Sequence, residues 1–177
     1  IVTNEETKEC FAVDMAECPQ EYVNYIKNNG LEMKALFLTH GHFDHIMGID
    51  DFLKAFPVPV YAGEDELPVI EDDRLNVYSM YGPKYAFHGA QPVRDGQVIE
   101  CAGIEVDVLQ TPGHTVGGCC YYLPKEHRLF SGDTLFCASI GRTDLPTGSS
   151  SQLVRSVQEK IMTLPDDTKI YPGHMEE

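Results

Sequence analysis

Apolar positions along this chain change period several times, and each change predicts a change of element. Residues 1–3 and 9–15 read as two short strands, with a polar turn at 4–8 between them. Pro19 opens a helix that ends near Gly30, with proline at the start and glycine just past the end. The run MKALFLT at 33–39 predicts a buried strand. After Asp44 the period lengthens. Ile46, Ile49, Leu53 and Phe56 share one helical face, and Asp44 stands where an N-cap belongs. Residues 58–61 predict another strand, and 63–70 a short acidic helix.

Residues 71–92 hold Tyr78, Tyr81, Tyr85, Phe87 and His88 without a clear period. They predict an irregular or helical excursion near the mouth of the site. Two hairpins follow. Residues 97–100 and 104–110 flank Ala102-Gly103, and 117–123 and 128–131 flank a turn at 124–127. Ser149 with Gln152 matches a capping box for a helix over 149–164. Its apolar stripe is Leu153, Val157, Ile161 and Leu164. Pro165 ends that helix, and 169–171 returns as a strand. The pattern contains no repeat, low-complexity segment or linker. Residues 1–177 are therefore expected to form one domain, trimmed at both ends.

The loops beyond these strands carry the chemistry. Directly after the 33–39 strand comes Thr39-His40-Gly41-His42-Phe43-Asp44-His45. Alternate residues of extended backbone point the same way, so His40 and His42 can face one cation. Thr111-Pro112-Gly113-His114-Thr115 supplies a third imidazole from a distant loop, and Tyr171-Pro172-Gly173-His174 another. Asp44 and His45, completed by His174, suit a second cation. Asp133, in Ser131-Gly132-Asp133-Thr134, can bridge, because one carboxylate offers an oxygen to each metal. Three close imidazoles and a carboxylate after an apolar strand have no routine packing role. His88 and His127 lack such company and are read as loop or surface histidines.

Five imidazoles and two carboxylates suit two divalent cations, zinc first, with iron or manganese as substitutes. Such a pair binds and deprotonates a water between the metals, and the hydroxide needs no serine nucleophile. Asp44 is expected to orient that water as a catalytic residue.

Charge narrows the choice. Lys and Arg number 13 and Asp and Glu 28, for a net charge of −15. Such a surface repels nucleic acid and anionic membrane, which opposes an RNA-processing role. The six cysteines show no C-x-x-C spacing and are expected as reduced, partly buried thiols in a cytoplasmic protein. Cys119 and Cys120 adjoin in a strand-like run and should face opposite ways.

In this order THGHFDH, PGHT, SGDTLF and YPGH resemble the metallo-β-lactamase superfamily. The similarity is closest to its hydroxyacylglutathione hydrolase (glyoxalase II) branch and the short single-domain relatives of that branch. It extends to Gly141-Arg142-Thr143-Asp144 and Leu164-Pro165-Asp166-Asp167-Thr168. The resemblance implies an α/β (α+β) fold, a four-layer αββα sandwich with the metals at one edge of two sheets. It implies His40, His42 and His114 on one metal, Asp44, His45 and His174 on the other, and Asp133 bridging. The implied reaction is hydrolysis of a small acyl thioester.

Three other functions are weighed against it. GRTD also occurs in related persulfide dioxygenases, which use a single iron and would leave His45 and His174 unliganded. A metal-binding module with a vestigial site is opposed by the complete ligand set. True β-lactamase is disfavoured, because those enzymes resemble this chain around H-x-H-x-D but lack the aspartate at Asp133. Full-length glyoxalase II adds a helical glutathione-binding region absent from these residues, so loose thiol specificity is expected. Arg142 has an anion-binding reading and a plainer one, pairing with Asp144 or a loop carbonyl.

Overall fold

A computed structural model describes residues 1–80, 82 and 84–174. Tyr81, part of the 71–92 reading, lies outside them. Two five-stranded sheets face each other. The first runs β1 (Val2–Thr3), β2 (Glu9–Val13), β3 (Glu32–Leu38), β4 (Val60–Gly63) and β5 (Gln91–Val93). Its β1–β2 pair is antiparallel and the rest are parallel. The second runs β10 (Lys169–Pro172), β9 (Arg128–Gly132), β8 (Cys119–Leu123), β7 (Ile104–Gln110) and β6 (Val98–Cys101). It is antiparallel except for the parallel β9–β10 pair.

The alternation of side chains builds three apolar layers. Phe11, Ala35 and Phe37 of the first sheet meet Val106, Val108, Tyr121 and Leu123 of the second. Phe37 sits at the middle, stacked on Tyr61 and against Phe11 and Tyr121. The opposite face of the first sheet presents Cys10, Ala12, Leu36 and Leu38 to α1 (Gln20–Asn28) and α3 (Ile49–Ala55). The opposite face of the second presents Cys120, Tyr122 and Leu129 to the helical stretch holding Val157 and Ile161. This is the αββα sandwich. Cys119 and Cys120 fall in different layers, as the period of two requires, and no disulfide joins the described cysteines. No helix among the described residues is long and apolar enough to cross a membrane.

Four expectations need correction. The helix after Asp44 is two pieces, α2 (Phe43–Ile46) and α3. The chain turns between them because the Gly48 amide donates to the Met15 carbonyl at 2.9 Å. A side chain at Gly48 would come within 2.8 Å of Glu17 Cα. Asp44 does not cap: the turn starts earlier, with His42 in the cap position. The described residues of 71–92 are irregular as expected, with a 3-10 turn at Tyr78–Met80, but the segment ends by entering β5, a strand the periodicity hid. The capping box at Ser149 is not formed, although α5 (Ser150–Ser156) starts there. The Ser149 amide, which Gln152 would have to reach, already donates to the Gly113 carbonyl at 2.7 Å. Beyond Ser156 the helix widens into a π-helical turn, Val157–Ile161.

Candidate metal centre

Every motif emerges from the C-terminal end of a strand, and the sheets bring those ends to one edge. β3 runs out into Thr39–His45. β7 leads to His114, β9 to Asp133 and β10 to His174. A hydrogen bond from the Tyr121 hydroxyl to the Leu38 carbonyl, at 2.8 Å, ties the end of β3 to the facing sheet.

The side chains converge as two neighbouring sets. In the first, His40, His42 and His114 are buried together. His42 Nδ1 lies 2.9 Å from His114 Nε2. In the second, His45 Nε2 is 3.3 Å from His174 Nε2, which is 3.1 Å from an Asp44 oxygen. Asp133 stands between. One oxygen is 3.4 Å from His45 Nε2, and the other is 3.6 Å from both His114 Nε2 and His174 Nε2. All seven residues expected from the sequence are thus brought together. His88 and His127 are not. His127 pairs with Asp167 at 2.9 Å, and exposed His88 lies 3.8 Å from a Glu71 oxygen.

Asp14, at the end of β2, belongs to the same cluster and was missed. One carboxylate oxygen accepts the Thr39 amide at 2.7 Å. The other accepts the Thr39 hydroxyl at 2.7 Å and His45 Nδ1 at 2.8 Å. These contacts set tautomers. The Thr39 proton goes to Asp14, so His40 Nδ1, 3.1 Å from that hydroxyl, must donate to it. His40 Nε2 is left with its lone pair facing inward. The Asp14 contact does the same for His45. His114 Nδ1 donates to the Arg142 carbonyl at 2.7 Å, which leaves its Nε2 basic as well. The only sequence sign of Asp14 was an aspartate ending an apolar run, which is common at strand ends.

The model of the metallo-beta-lactamase superfamily matches residues 13–174. The chain belongs to that superfamily. A probable metallo-hydrolase of Bacillus subtilis, YqgX, is 34% identical over 94% of this chain and 80% of its own length. The crystal structure of BLEG-1, a B3 metallo-beta-lactamase, is 35% identical with a TM-score of 0.91, covering 99% of this chain and 85% of that one. A third protein, TTHA1623, solved in a di-iron-bound form, is 30% identical with a TM-score of 0.82, covering 93% and 81%.

The superfamily binds divalent metals, and the donors here fit such ions. His40 Nε2 is buried without a hydrogen-bond partner, a costly state that a cation beside it relieves. Burial, with the neighbouring imidazoles, holds His40 far below the usual histidine range and His42 at about 3. His114 is lowered as well, chiefly by burial. All three are therefore neutral, the form that ligates. His45 is the opposite case. Burial alone would lower it, but the charge of Asp14 and hydrogen bonds to Asp133 and Asp14 raise it to about 10. Burial resists ionisation of Asp133, yet His45, His114 and His174 hold it below the usual carboxylate value. Without a metal, the second set keeps a proton where a cation would sit.

Glycine serves this superfamily site by letting backbone pass close beneath it. A Cβ on Gly173 would stand 2.5 Å from Asp133 Oδ1 and 2.6 Å from His45 Cε1. In GRTD, Arg142 forms a two-point pair with Asp144 at 2.7 and 2.8 Å, while its carbonyl orients His114. A cavity of about 390 Å³ opens beside the second set, walled by Val13, Phe130 and Tyr171 and floored by Asp44, His45 and His174.

Proposed function

We propose that this metallo-hydrolase cleaves small acyl thioesters at a two-metal centre, in the manner of hydroxyacylglutathione hydrolases. The carrying observation is Asp133 placed between two complete donor sets. In this reading His40, His42 and His114 hold one cation, Asp44, His45 and His174 the other, and Asp133 both. Zinc is the expected metal, and iron or manganese substitute for it. Bound cations would supply Lewis acidity and acidify water to near neutrality. Asp44 accepts a hydrogen bond from the attacking water and aims it at the carbonyl. His45, fixed by Asp14, stays in place as the charge of the site changes. A thiolate leaves without a strong acid, since free thiols titrate near about 8.5. That suits a site where nearly every carboxylate and imidazole is committed to a cation. The net charge of −15 gives no long-range attraction to an anionic ester, so a small substrate fits better than nucleic acid.

The B3 metallo-beta-lactamase that covers 99% of this chain favours a second reading, hydrolysis of a β-lactam. The test is metal analysis with a substrate panel on one preparation. The panel holds lactoyl-glutathione, other acyl thioesters, a β-lactam, and glutathione persulfide with oxygen uptake. Two metal equivalents with thioester turnover are expected. One iron with oxygen consumption moves the assignment to a persulfide dioxygenase, and β-lactam turnover alone moves it to the second reading.

A further inference from the structure

The acidic run at 64–66 looks in the sequence like a solvated face, and Glu64 and Asp65 are indeed exposed. Glu66 is not: it is 0% exposed. Its Oε1 accepts the Gly41 amide at 2.8 Å, and its Oε2 accepts the Gly117 amide at 2.8 Å. Gly41 is the residue between His40 and His42. Gly117 lies three residues past His114 on the same loop. A single carboxylate therefore clasps the two loops that carry the first donor set, one from each sheet.

The close approach depends on the two glycines. A Cβ on Gly117 would strike the Glu66 backbone nitrogen, and one on Gly41 would come 2.8 Å from Ile70 Cγ1. Burying a carboxylate is costly, and burial raises this one to about 7 against the pull of its amide donors. A plain apolar side chain would fill the space at lower cost, so the two hydrogen bonds are the reason for the acid.

We propose that Glu66 is a positioning residue that sets the spacing of His40, His42 and His114, and so the affinity of the first donor set for its cation. Asp14, only half-buried, holds His45 directly and His40 through Thr39, whereas Glu66 is fully buried, serves the first set alone and acts without touching a ligand. The proposal rests on the reading that these three histidines hold a metal, and the experiment separates the two.

Metal-free protein is titrated with Zn²⁺ against a chromophoric chelator in two backgrounds. His174→Ala leaves the first set, and His114→Ala leaves the second. Glu66→Gln keeps the shape but turns an NH₂ toward one backbone amide, and Glu66→Leu removes both acceptors. In the His174→Ala background, Glu66→Gln should weaken Zn²⁺ binding about 10–100-fold, the usual cost of losing an outer partner. Glu66→Leu should weaken it further. In the His114→Ala background, Glu66→Gln should leave affinity unchanged. No Zn²⁺ binding by His174→Ala with Glu66 intact overturns the ligand assignment itself. Unchanged binding, or an equal loss in both backgrounds, overturns the role of Glu66. Amide hydrogen exchange on the otherwise unaltered metal-free protein covers the case in which the variants fail to fold. Strong protection at Gly41 and Gly117 supports the clasp, and rapid exchange at both refutes it.

Discussion

Replacing Asp14 with asparagine tests the tautomer argument with little steric change. The backbone at Asp14 has φ 56°, a region that asparagine tolerates well, so the substitution isolates the carboxylate. Two orientations of the amide are possible. With the NH₂ in place of the oxygen between Thr39 and His45, it donates to both. His45 Nδ1 must then accept, so its proton moves to Nε2. The Thr39 hydroxyl, now accepting from the amide, turns its proton to His40 Nδ1, and the His40 proton also moves to Nε2. One amide thus blocks a ligating nitrogen in each donor set. With the amide flipped, its NH₂ opposes the Thr39 amide, which costs about 1–3 kcal/mol for the unmet donors. Losing one outer partner of a ligating histidine costs roughly 10–100-fold in metal affinity. Since two histidines respond here, we expect a loss of about 100-fold, or about 2.8 kcal/mol. The assay is chelator competition on metal-free protein, paired with urea unfolding. Asp14→Ala is the contrasting variant, because alanine at this φ adds roughly 1–2 kcal/mol of backbone strain. An Asp14→Asn protein with unchanged Zn²⁺ affinity and unchanged stability would refute the argument.

Three more outcomes follow from the same geometry. Asp133→Ala should lower the metal content of both sets and remove most turnover, whereas Asp133→Asn should retain part of the metal through its amide oxygen; full metal and full turnover in Asp133→Ala would show that it does not bridge. Loading metal-free protein with Zn²⁺ at pH 7 should release a proton from His45, which pH-stat titration reads, and metal binding should tighten as pH rises toward 10. In the metal-free fold, the His45 contribution is fully present below its unfolded value near 6.5. It fades as pH climbs through about 10, so urea midpoints should fall across that window.

What the sequence revealed and what it hid divide along one physical line. Strands and motifs were legible because they are local: an unbroken apolar run marks β3, alternation marks β7, and H-x-H-x-D-H has little other use. Asp14 and Glu66 were hidden because their meaning lies in partners far along the chain. An aspartate after AV and a glutamate after ED look ordinary until Thr39, His45, Gly41 and Gly117 are folded around them. The Ser149 box failed for a related reason. A local pairing lost its amide to Gly113, a tertiary acceptor that no window of the sequence contains. β5 was lost because three residues, one of them proline, carry too little period to register.

The donors come from both sheets, and this has a consequence for how the protein matures. His40, His42, Asp44 and His45 follow β3, while His114, Asp133 and His174 follow strands of the other sheet. A nascent chain that has folded only its first sheet offers three imidazoles and Asp44, with Asp14 beside them, but neither cation seat is complete. Full coordination waits for β10 to dock beside β9, a pairing that spans the whole β9-to-β10 crossover. Non-local closures of this kind are slow, and half-made sheets expose edges meanwhile. A metal bound by donors from both sheets would join the two halves like a latch, adding stability that grows with free metal concentration. Cells short of metal would then hold this protein folded but loosely shut, with the seam at the active edge the first place to open.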